Sequence, residues 1–180
     1  MIPEKELFST NLGECFINSL ANLLLLKYGD RQAGIEVIER SEEHPLVFEE
    51  GHTKKGVIDL TTPEIVLDLT GGKYSAKLFS IDPTIKDREI ISRYGLDLAD
   101  KILDSSRRGV DLEIVSEFPK NREFEFPHIL IGKDAPGDRF GHVVVRVNGG
   151  LHVNDGRYIE KETDFFGYLV GVLEVEKNDC

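Results

Sequence analysis

The chain is short of the features that mark several functional classes. It has two cysteines in 180 residues, Cys15 and Cys180. That is too few for a disulfide framework, and Cys180 ends a polar stretch of the kind that frays. Cys15 is therefore read as a lone reduced thiol inside the fold. No run of adjacent Lys or Arg exceeds two residues, and the formal net charge is -11. Phosphate binding draws its affinity from clustered basic side chains, so a nucleic-acid partner is not expected. The longest apolar stretch, around Leu20 to Leu26, is far short of the roughly 20 residues that span a bilayer. Met1 to Glu6 lacks the basic-then-apolar pattern of a signal peptide. The expectation is a cytoplasmic protein with no membrane partner. Nothing repeats, and no stretch is low in complexity or reads as a linker. A hydrophobic content of 40% over this length suits one domain across residues 1–180.

What is present falls into two halves. Glu14 to Tyr28 is apolar around most of a helical circumference, which describes a buried helix. Asn11 or Gly13 is placed to open it, Gly29 to close it, and Cys15 lies in its first turn. A shorter helix is expected from Ala33 to Arg40, then a loop from Ser41 to Gly56. Thr61-Thr62-Pro63-Glu64 starts another helix that Gly71-Gly72 stops, because Pro suits the first turn and Glu the positive end. Tyr74 to Ser80 reads as a strand, and Lys86 to Arg108 as a helix broken at Gly95. Short β-branched runs follow at Leu112 to Val115, His128 to Ile131, Val143 to Val147, Leu151 to Val153 and Tyr168 to Val175. Helices first and antiparallel strands afterwards make an α+β fold, with the long helix packed on a C-terminal antiparallel sheet.

Only the thiolate of a cysteine is a nucleophile, so a catalytic cysteine needs its pKa lowered from about 8.5. A helix N-terminus does part of this, and a neighbouring imidazolium does more. Cys15 has the first by position. Gly141-His142 leads into the strand from Val143, and Asn148-Gly149 is a strong two-residue hairpin signal. With that turn Val147 faces Gly150, and His142 lies opposite Asp155 at a Cβ separation of about 4.5–5.5 Å. Across that distance a carboxylate can hold an imidazole in the tautomer a general base needs. A three-residue turn, Asn148 to Gly150, instead puts Asn154 on the His142 face. Both residues are carried, with Asp155 preferred. His44, His52, His128 and His152 match no zinc spacing. His44 and His52 are read as solvated, and His152, under the Asn148-Gly149 turn, as facing away from His142.

The segments 11–21, 141–145 and 152–156 together resemble the papain-like cysteine peptidase superfamily, closest to C39-like, bacteriocin-processing peptidase domains. The resemblance implies a papain-like fold in which Cys15 attacks, His142 moves the proton and Asp155 orients His142. It implies a hydrolase acting by acyl transfer on a peptide or amide substrate, with no cofactor and no metal. The chain departs from the pattern in two places. Ser9 stands where papain-like enzymes carry the glutamine of the oxyanion hole, and the only glutamine is Gln32. Ser9 or Asn11 would have to replace that donor. Glu14 precedes the nucleophile, where a carboxylate opposes a thiolate. Two further readings share these residues: a catalytically weak or inactive domain used for binding, and a transglutaminase- or acyltransferase-like enzyme.

Overall fold

Helix α1 (Cys15–Tyr28) forms from residues that tolerate helix and have nowhere else to bury. Phe16 through Leu25 are buried without exception, and Gly29 ends the helix in the left-handed region at φ 66°. Glu14 occupies its N-cap. In this computed structural model residues 2–9, 14–50, 54–57, 61–81, 111–115, 123–133, 141–161 and 167–179 are described. Asn11 and Gly13, expected to open α1, lie outside them, as does the helix expected over Lys86 to Arg108.

Helix α2 (Arg31–Ser41) starts two residues earlier than expected. Its N-cap is Asp30, whose carboxylate accepts the Ala33 N–H at 2.9 Å and the Tyr74 hydroxyl at 2.7 Å. These two bonds, the Ala33 one foremost, hold the Asp30 carboxyl below its ordinary pKa. The segment expected to be all loop contains a small antiparallel hairpin, β1 (Phe48–Glu50) with β2 (Lys54–Gly56). Backbone pairing across a short loop sufficed there without an apolar pattern. Helix α3 (Thr62–Leu69) begins at the Thr61 cap, with Pro63 in its first turn, and ends at Gly71 and Gly72.

A seven-stranded sheet carries the rest. Its strands are β3 (Tyr74–Ile81), β4 (Asp111–Val115), β5 (His128–Lys133), β6 (His142–Arg146), β7 (His152–Asn154), β8 (Arg157–Ile159) and β9 (Tyr168–Lys177). Their order is β4-β3-β9-β5-β6-β7-β8. The fold is thus α+β, but the sheet is neither wholly C-terminal nor wholly antiparallel. β3 sits between β4 and β9 and pairs parallel to β4. A parallel pair needs a crossover of a dozen or more residues, and the chain from 82 to 110 is long enough for one.

Side chains alternate across the sheet and so divide the core. Ile129, Ile131, Val143, Val145, Val153 and Leu173 pack with α1 and α3. Leu130, Val144 and Val172 form a second cluster with Phe124 and Leu169 on the other face. Burying one Leu or Ile contributes roughly 1.5–3 kcal/mol. Among the described residues, no helix is long and apolar enough to cross a membrane.

Candidate active site

Cys15 is the first residue of α1, half-buried, and its thiol is not in a disulfide. One turn further on, Ser19 lies on the same helix face. The Ser19 hydroxyl donates to the carbonyl of Val143 at 3.2 Å, and Val143 follows His142 directly. That bond ties the N-terminal half of α1 to the start of β6. Four residues of helix rise about 6 Å, so the Cys15 and His142 backbones occupy the same end of the molecule.

His142 is exposed at the first position of β6, opposite Gly132. Regular alternation puts it in the row of Val144 and Arg146, on the sheet face away from α1. Only at a strand end can a side chain of that row lean past the sheet toward the helix.

The expected two-residue turn is not found. The Val147 N–H donates to the Leu151 carbonyl at 3.0 Å, and the pairs are Val145 with Val153 and Arg146 with His152. The loop is Asn148-Gly149-Gly150, with positive φ at both glycines. A second glycine removes the steric penalty that would have confined the turn to two residues. This is the register in which Asn154, not Asp155, shares the His142 face, and in which His152 shares it too. His142 and Asp155 are therefore not directly opposed. Asp155 leaves the strand altogether. With Gly156 it forms the two-residue turn between β7 and β8, at φ 46° and 78°. β8 was not expected, although Asp155-Gly156 is itself a hairpin signal.

That turn meets the N-terminal segment. A Cβ on Gly156 would lie 3.0 Å from Ser9 Cβ and 3.1 Å from the Phe8 carbonyl oxygen. Ser9 and the Asp155 turn are thus brought together. The Phe8 backbone is held in turn by Asn22 of α1. The Phe8 N–H donates to Asn22 Oδ1 at 2.7 Å, and Asn22 Nδ2 donates to the Phe8 carbonyl at 3.0 Å. Asn154 and Asp155 each keep a buried Oδ1 with no hydrogen-bond donor among the described residues. A buried acceptor left without a donor costs about 1–3 kcal/mol. Glu14 is buried at 3% exposure directly before Cys15. Asn11 lies outside the described residues.

The other histidines fall elsewhere. His44 is not simply solvated: its Nε2 is 3.3 Å from Asp68 Oδ2, and its Nδ1 accepts the Leu46 N–H at 3.2 Å. His52 lies outside the described residues. His128 and His152 are buried in the far-face row, flanking Arg146 across three strands. Burial pushes the His128 imidazole down to about 4. Among the described residues, no group of three His, Cys, Asp or Glu side chains could hold a metal ion.

The sequence reading missed Ser19 and Asn22. The signal was available, because a polar side chain inside a helix that is apolar all round must find a buried partner. Compared with known proteins, the chain matches no family model, no curated protein and no solved structure.

Proposed function

We propose that the protein is a papain-like cysteine-nucleophile hydrolase acting on a peptide or amide. The observation that carries this reading is the Ser19–Val143 hydrogen bond, which joins the Cys15 end of α1 to the His142 end of β6. The Cys15 thiolate attacks the carbonyl carbon, and the His142 imidazolium gives its proton to the leaving amine. Water, deprotonated by His142, then cleaves the thioester and restores the thiol. The α1 N-terminus favours the thiolate, and the Cys15 N–H faces the developing oxyanion with Ser9 as second donor. Asn154 shares the His142 face in the observed register, and Asp155 lies in the adjoining turn. Of the two, Asp155 is kept as the group that would orient His142, because its charge would also stabilise the imidazolium, which the Asn154 amide would do less well.

The strand alternation at His142 favours a second reading, a non-catalytic domain of the same fold. Iodoacetamide labelling of Cys15 across pH, in a Cys180→Ser background, separates the two. The hydrolase reading expects an apparent pKa well below the ordinary value of about 8.5, restored toward it by His142→Ala. Labelling at about 8.5 or above that ignores His142→Ala would leave only the binding reading.

A further inference from the structure

We propose that Asn22 is a positioning residue for Cys15: its amide seats the Phe8–Ser9 segment between α1 and the β7–β8 turn. The inference rests on the hydrolase reading for its catalytic meaning. Asn22 is fully buried, seven residues after Cys15 and so on the same side of α1 two turns away. Its side chain takes the place of a strand partner, satisfying both backbone groups of Phe8 at 2.7 and 3.0 Å. The Phe8 carbonyl that accepts from Asn22 is the atom against which Gly156 packs, at 3.1 Å from the place of a Cβ. Phe8 is therefore gripped from the helix on one side and from the Asp155 turn on the other. The chain leaves this grip at Ser9 and reaches the nucleophile six residues later. A shift at Phe8 moves Ser9 and the Asp155 turn that packs on it.

Anchoring the segment to the body of the protein does not require Asn22. The Arg31 guanidinium donates to the Glu6 carbonyl at 2.7 Å and lies 4.9 Å from the Phe8 ring centre. The Tyr158 hydroxyl donates to the Ile2 carbonyl at 2.9 Å. These ties survive loss of the amide, so an Asn22 variant keeps the segment attached and loses its seat. A purely structural role and a positioning role then differ in what they do to Cys15.

The test is alkylation of Cys15 in the Cys180→Ser protein bearing Asn22→Ala or, as a milder change, Asn22→Ser. Val37→Ala, a core truncation in α2, is the control for lost stability. The expected result is about a tenfold lower labelling rate at pH 7, one unit of apparent pKa, with Val37→Ala unchanged. Gly156→Ala, pressing on Phe8 from the other side, moves the same readout. The plateau rate at high pH, where the thiol is fully ionised, reports positioning even if wild-type Cys15 proves unactivated. A change there of at least about threefold supports the role of Asn22 whatever becomes of the hydrolase reading. Asn22 variants that melt earlier, as Val37→Ala does, yet keep the wild-type plateau and profile overturn it.

Discussion

The Ser19 hydroxyl and the Val143 carbonyl meet at 3.2 Å, although the residues are 124 positions apart in the chain. The bond is buried, and it fixes the helix that begins at Cys15 to the strand that begins at His142. Ser19→Ala removes the donor and leaves the carbonyl without it, at a cost of about 1 kcal/mol. A lowered urea midpoint, together with slower labelling of Cys15 at pH 7, is the expected result.

Asp155 has a backbone role in its turn and a proposed side-chain role at His142, and mutation can separate the two. Its backbone sits at φ 46° and its carboxylate has a buried oxygen without a donor among the described residues. Asp155→Gly suits the turn, so stability stays within about 0.5 kcal/mol or rises. On the proposed reading, in which Asp155 orients His142, the thiol of Cys15 is nevertheless expected to titrate higher. Asn154→Ala is expected to leave that titration in place. Thiol titrations on both variants decide which side chain orients the imidazole.

His128 makes stability depend on pH. Its imidazole is buried between Phe126 and Arg146, and desolvation lowers its pKa from 6.5 to about 4. In that window the unfolded chain holds a proton that the folded chain does not. Stability contributed by neutral His128 is therefore complete above pH 6.5 and falls as pH drops toward 4, by up to about 3 kcal/mol. Urea midpoints measured from pH 7 to 4 should show this slope, and His128→Gln should flatten it.

Two glycines with positive φ predict different costs. Gly149 has open space around its missing Cβ, whereas Gly156 faces Ser9 and Phe8 at 3.0 and 3.1 Å. Both alanine variants incur left-handed strain, but only Gly156→Ala also displaces backbone. It should be the less stable of the two by at least about 1 kcal/mol in denaturant unfolding.

Elements with strong local signals are legible in the residues alone. α1 followed from an apolar circumference closed by Gly29, and α3 from Pro63 just inside its start. Most strand cores followed from β-branched runs bounded by turns. Cys15 at a helix start and His142 at a strand start were legible for the same reason, because each depends on a few neighbouring residues. Which residues face one another depends on contacts between distant segments. The Asn148-Gly149-Gly150 triplet admits two turn lengths that local chemistry barely separates, and pairing of the whole strand chose the longer one. That choice moved Asn154 onto the His142 face and left Asp155 in a turn of its own. The parallel β3–β4 pair and the Asn22 grip on Phe8 likewise depend on contacts between distant segments, whose energies appear only once the chain has closed upon itself.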